Sequence, residues 1–243
     1  MRTAIGIAVA GLLIAASITF GALEFSRAYV DARTVDRSVT VKGLAERDVV
    51  ADTAIWPLRF TATDDDLTKA LSKLSTDEQT VRRFLTEGGI AADAISVQEF
   101  SVIDQLAQQY QSGQVRSRYI VSQTLLVRSG AIEQVEALAQ EVGELVTAGV
   151  ILSSDGGRSS GPNYLFTQLN QIKPAMLAEA LANAREGAAE FARDSGAEIG
   201  GIRRASQGVF QILPRDQAPG LREEGQIQKT VRVVSTIHYA LAN

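Results

Sequence analysis

Near its start the chain runs for 21 residues, Thr3 to Leu23, without a single charge. Ile, Leu, Val, Ala and Gly dominate the run and no polar stripe divides it. As a helix rising about 1.5 Å per residue, it would reach roughly 30 Å, the depth of a bilayer's hydrocarbon core. A surface helix of a globular domain needs one solvated face, and this segment has none. The reading is a retained transmembrane anchor over residues 1–25. The alternative is a cleaved signal peptide, which carries a shorter apolar stretch and ends in a small-x-small site. Gly21, Ala22, Leu23, Glu24 and Phe25 offer no good Ala-x-Ala, and Thr19-Phe20-Gly21 is a poor one. Both readings export the remainder. Arg2 and the amino terminus precede the run, while Glu24, Arg27, Asp31 and Arg33 follow it, so the positive-inside bias favours a cytoplasmic N-terminus.

Residues 26–37 are polar and read as a stalk, leaving 38–243 as the folded domain. A hydrophobic fraction of 45% gives that domain ample material for a core. Net charge is −4, from 24 basic and 28 acidic residues with no block of like sign. Nucleic-acid binding needs a basic footprint, and none is present. The absence of cysteine removes disulfides, thiolate nucleophiles and cysteine-held metals. One histidine leaves only carboxylate-based metal sites, and no cluster suggests one. No cofactor is expected.

Periodicity changes repeatedly along the domain. Ala54, Trp56, Leu58, Phe60 and Ala62 alternate as one face of a strand, with Pro57 inside it implying an edge or a bulge. Asp64, Asp65 and Asp66 suit a helix N-cap and first turn, and the oxygen spacing of a calcium loop does not continue past them. Leu67 to Leu85 has helical spacing, and Gly88-Gly89 ends it. Strands follow at 95–103 and 119–127, then a second helix from Ile132 through Leu145 and a short strand at 150–152. A long amphipathic helix starts at Pro174, with Met176, Leu177, Ala180, Leu181, Ala184, Ala188 and Phe191 on one face. Strands around 199–213 and 231–241 close the chain. Strand–helix–strand–strand thus occurs twice, and a shift of 112 lays Thr124-Leu125 on Thr236-Ile237. The expected fold is α+β: two pseudo-repeated strand–helix–strand–strand units, helices packed on antiparallel sheets, after an N-terminal transmembrane helix.

Gly157-Arg158-Ser159-Ser160-Gly161 satisfies G-x-S-x-G, but Pro162 and an aromatic strand follow where a nucleophile elbow needs a helix. His238 lies on the polar face of the last strand, opposite Val233, Ile237 and Tyr239. Ser159, Ser160 and His238 are therefore expected to be non-catalytic, and the protein not to be an enzyme.

The opening strand Val39-Thr40-Val41-Lys42-Gly43-Leu44-Ala45-Glu46 resembles the Val-x-Gly-x-(Gly/Ala)-Glu pattern of the SIMPL-domain family. So does the late helix with Ala184-Arg185 and 188–192, followed by Gly196-Ala197-Glu198-Ile199-Gly200-Gly201-Ile202. The resemblance covers roughly 38–241. It implies a bacterial inner-membrane protein facing the periplasm, stress tolerance (notably oxidative), ring-like homo-oligomers and no catalytic residues. The leading expectation is an anchored, self-assembling scaffold with an envelope protein as further partner. Its runner-up is a periplasmic small-ligand binder, with a pocket between helix layer and sheet and the loop at 153–162 as a lid. Two polar connections, 105–117 and 214–228, carry apolar residues that a solvated tip does not need. Leu106, Tyr110, Val115, Leu221 and Ile227 are the candidate subunit contacts.

Overall fold

A computed structural model describes residues 11, 16–26, 29, 37–107, 116–153 and 161–242. Along the chain run β1 (Ser38–Val50), β2 (Thr53–Asp64), α1 (Leu67–Glu87), β3 (Ile95–Asp104) and β4 (Tyr119–Ser129). Then come α2 (Ile132–Glu141), α3 (Gly143–Thr147), β5 (Asn163–Leu165) and α4 (Leu169–Asp194). The chain closes with β6 (Glu198–Gln207), β7 (Gln211–Pro214) and β8 (Gln228–Ala242). The class is α+β with antiparallel sheets. Two compact units divide it: residues 1–45, 177–209 and 233–243 form the first, 46–176 and 210–232 the second.

In the second unit the sheet order is β3-β4-β2-β5. Trp56, Leu58 and Phe60 of β2 are buried on one face, as their alternation demands, and Ala70, Leu74, Val81 and Leu85 of α1 pack into the same core. Asp66 caps α1 by accepting from the Thr68 and Lys69 N–H groups at 2.8 and 3.4 Å. Gly88 closes the helix and Gly89 turns the chain at φ 89°, a conformation that favours glycine. The predicted second helix is broken: α2 stops at Glu141 and α3 begins at Gly143. Glycine disfavours helix interiors, and the break still leaves Val135, Leu138 and Leu145 in the core.

Pro57 pairs with Leu126 of β4, and β2 lies between β4 and β5 in the sheet order. Among the described residues, the far side of β2 is nevertheless only partly covered. β5 pairs with Thr53–Ile55, and further along Thr61 N–H donates to the Ile151 carbonyl (3.0 Å) while Ser153 N–H donates to the Arg59 carbonyl (2.9 Å). The predicted strand at 150–152 is reduced to this contact and one bridge, Phe60 with Leu152. By alternation Pro57 turns its backbone to the same side as Arg59 and Thr61, between the two covered stretches. A residue without an N–H suits that position.

The long helix starts five residues before Pro174, which therefore sits inside α4 rather than at its first turn. What starts it is remote in sequence. The Asp52 carboxylate accepts from Thr167 N–H (2.8 Å), Gln168 N–H (3.2 Å) and the Thr167 hydroxyl (2.8 Å), 115 residues away. These bonds satisfy donors that an unaided helix start leaves orphaned.

In the first unit the strands are ordered β1-β8-β6, and a small core joins Val41, Ala184, Ala188, Ile237 and Tyr239. Helix and sheet approach closely there. A β-carbon at Gly43 would lie 1.8 Å from the Ala180 carbonyl oxygen. Asn183 Nδ2 donates to the Leu44 carbonyl at 2.8 Å on the same strand. The single strand expected around 199–213 is two, β6 and β7, separated at Gly208.

Thr3–Leu23 and the stalk fall largely outside the described residues; residues 16–26 are helical, with Ile18, Phe20, Leu23 and Phe25 exposed. Among the described residues no helix is long and apolar enough to cross a membrane.

Candidate interaction surface

Each sheet ends in a strand that leaves core-side apolar residues exposed, although Ile95 of β3 and Ile199 of β6 join the cores. In the second unit, Val97 of β3 stands opposite Leu125, Phe100 opposite Gln123 and Val102 opposite Val121. The β4 members of these pairs are buried, which puts Val97, Phe100 and Val102 on the face that α1 covers elsewhere. All three are exposed, Phe100 to 53%. In the first unit Ile202 of β6 stands opposite Tyr239 and Ala205 opposite Ile237, again on the core face. Ile202 is 55% exposed, and α4 adds exposed Leu181 and Phe191. Exposed apolar residues that share one face of an open edge strand mark a contact surface rather than scattered surface residues.

Both strands are bulged. Between Val97 and Glu99 of β3 one extra residue, Gln98, has no partner on β4. On β6 the register shifts between Ile199 and Ile202 and again between Ile202 and Arg204, leaving Arg203 out of step. The two strands differ in charge. β3 presents Glu99, paired with Thr124; β6 presents Arg203 and Arg204, the latter paired with His238.

The second unit also holds a cleft of about 1030 Å³. Its floor includes Ile55, Pro57 and Leu126, with Arg59 and Glu99 at one side and Leu221 on the rim. The Arg59 guanidinium donates to Ser122 Oγ at 3.3 Å and lies 3.6 Å from the Glu99 carboxylate. Ile55, Pro57 and Arg59 alternate with the buried face of β2, so the cleft opens on the side of the sheet away from the core. Between helix layer and sheet, where the sequence reading set a pocket, Trp56 and Phe60 are buried. Of the expected lid, residues 154–160 lie outside the described residues.

The candidate contacts fare unequally. Leu106 and Leu221 are exposed, at 65% and 53%. Ile227 packs against the second unit's core, and its carbonyl accepts from Ala51 N–H at 2.8 Å. Tyr110 and Val115 lie outside the described residues. The connection at 214–228 is tied down beside Ile227, where the fully buried Lys229 ammonium donates to the Glu223 carbonyl (2.6 Å) and carboxylate. At the base of the other connection Arg118 donates to both oxygens of Asp104, and this holds that carboxyl below its ordinary value. The sequence reading missed Val97, Phe100, Val102 and Ile202. Val97 and Phe100 stand three apart and share a face only through the bulge at Gln98, and nothing local tells of that bulge or that the helix stops short of them.

Chemistry is sparse. Among the described residues no three His, Asp or Glu side chains come together as a metal site. His238 Nδ1 shares a hydrogen bond of 3.0 Å with Thr40 Oγ1 on an exposed face. Ser159 and Ser160 lie outside the described residues. The largest titration shift among the described groups is structural: burial, with Glu136 nearby, pushes the Tyr164 hydroxyl up to about 12.

An α+β chain with antiparallel sheets and open edge strands is the class these observations define. The family described as SIMPL, protein of unknown function (DUF541), matches residues 39–237, and the chain belongs to that family. No curated protein matches it. Gly43, central to the opening motif, is the residue that lets β1 meet α4.

Proposed function

We propose that the protein is a membrane-anchored, extracytoplasmic scaffold that self-assembles, supports envelope or oxidative stress tolerance and meets an envelope protein partner. The observation that carries self-assembly is the exposed apolar edge of each sheet, Val97, Phe100 and Val102 on β3 and Ile202 on β6. Family membership supports the rest through the rings and periplasmic setting that the resemblance implies. The anchor rests on Thr3–Leu23 and on its charged flanks, with the domain in the periplasm and the N-terminus in the cytoplasm.

A two-fold repeat belongs to the same reading. β2, α1, β3 and β4 give the order β2-β4-β3; β1, α4, β6 and β8 give β1-β8-β6. In both, the last strand is central. At the shift of 112, buried Val121, Gln123, Leu125 and Val127 fall on buried Val233, Ser235, Ile237 and Tyr239.

Light scattering on the full-length chain, extracted from membranes in detergent, tests the scaffold. A discrete oligomer is expected, and a monomer at micromolar concentration would sink it. The cleft beside Arg59 favours a second reading, a small-ligand binder. In that case the monomer should gain thermal stability with small metabolites, since ligands that bind only the folded state raise it.

A further inference from the structure

We propose that β3 of one chain and β6 of a second chain join edge to edge as antiparallel strands, with Glu99 of one against Arg204 of the other. The inference rests on the self-assembly reading and names its surface. Both strands end their sheets, and each leaves a row of main-chain groups facing outward. Strand pairing satisfies such groups and adds side-chain pairs on both faces.

Register follows from the faces. Starting from Glu99 against Arg204, and passing over the out-of-step residues Gln98 and Arg203, Phe100 meets Ile202 and Val97 meets Ala205. These pairs all lie on the core-side face, where α1 and α4 leave them uncovered. On the opposite face Glu99–Arg204 is followed by Ser96 against Ser206. One antiparallel register therefore puts apolar against apolar and acid against base, and the bulges do not disturb it because they flank the charged pair.

The same charges oppose the simpler alternatives. β3 against a second β3 brings Glu99 near its own copy, and β6 against a second β6 gathers four arginines. Like charges on facing strands destabilise the pair. The favoured contact is heterologous, and such a contact makes a ring if the rotation it imposes closes and an open filament if it does not.

Charge reversal on the full-length chain in detergent tests this. Glu99→Arg alone and Arg204→Glu alone should each weaken self-association by about tenfold or more. The double variant Glu99→Arg/Arg204→Glu should regain the parent's size, and so should a mixture of the two single variants. Trp56 fluorescence monitors folding around Glu99 and amide exchange in β6 monitors folding around Arg204, and Arg204→Glu supports the conclusion independently if Glu99→Arg folds poorly beside Arg59. Because the chain has no cysteine, Glu99→Cys and Arg204→Cys chains with tags of different size can be mixed and oxidised. A mixed disulfide is expected. An oligomer whose size survives both reversals, or a disulfide formed mainly between two Glu99→Cys chains, overturns this surface and leaves self-assembly standing. A monomeric parent overturns self-assembly, and this inference with it.

Discussion

Between sheet and helix of the second unit lie Trp56, Phe60, Leu74, Leu85 and Leu125; in the first unit the helix offers Ala180, Ala184, Ala188 and Ala192. The second unit gains its stability from side-chain volume removed from water, roughly 1.5–3 kcal/mol for each large apolar residue. The first relies on the closeness of its backbones, which Gly43 permits against Ala180. Small side chains make a shallow layer, and a shallow layer covers less sheet. Phe191 at 62% exposure and Ile202 are what remains outside. Both units keep an exposed apolar edge, β3 in the second and β6 in the first, so the difference lies in how the core behind each edge is held.

The comparison can be broken at its strongest point first. Trp56→Ala should cost about 3–5 kcal/mol, read by denaturant unfolding followed by circular dichroism, because a buried aromatic leaves a cavity. Amide exchange should accelerate first in β2 and β4. Equal acceleration in the first-unit part of β6 would mean that the two cores are not separate in stability.

Gly43→Ala should cost about 1–3 kcal/mol through overpacking, since the added carbon meets main chain rather than a movable side-chain tip. Here exchange should accelerate in β6, while Trp56 fluorescence holds until global unfolding. A neutral result would refute close approach as the first unit's principle.

Asp52→Ala should cost about 1–2 kcal/mol by uncapping α4. Partial burial works to raise this carboxyl, but the bonds from Thr167, Thr53 and Gln168 outweigh it and hold it below its ordinary value. A depressed carboxylate contributes its stability above its unfolded value, near 4, and loses it as pH falls through the lower folded one. The parent should therefore lose stability on acidification more steeply than Asp52→Ala, as measured by thermal midpoints from pH 6 to 2.

His238→Ala should change stability by less than about 0.5 kcal/mol, because its bond to Thr40 is exposed. Cellular function should persist; its loss in a variant that folds and assembles normally would reopen catalysis.

Features governed by neighbours in sequence were legible. The buried face of β2, the Asp66 cap and the Gly88-Gly89 stop all follow from residues a few positions apart. The start of α4 was not, because Asp52 supplies its cap from across the chain. Pro174 looked like the start only because proline suits a first turn. The open edges were illegible for a related reason. Bulges at Gln98 and Arg203 break the alternation beside Phe100 and Ile202, and only the packed helix decides how far its cover extends.

Pro57 has one more consequence, for what an intruding peptide could do. Among the described residues, the stretch of β2 at Pro57 has no partner on this side, lies between two paired ones, and offers an acceptor carbonyl without a matching donor. A foreign strand laid there could begin a ladder but not propagate it, because each further rung needs both partners. Replacing Pro57 with a residue bearing an N–H would restore that rung, so the proline acts as a guard against runaway strand addition, in the manner of gatekeepers that protect exposed β-structure from fibrils.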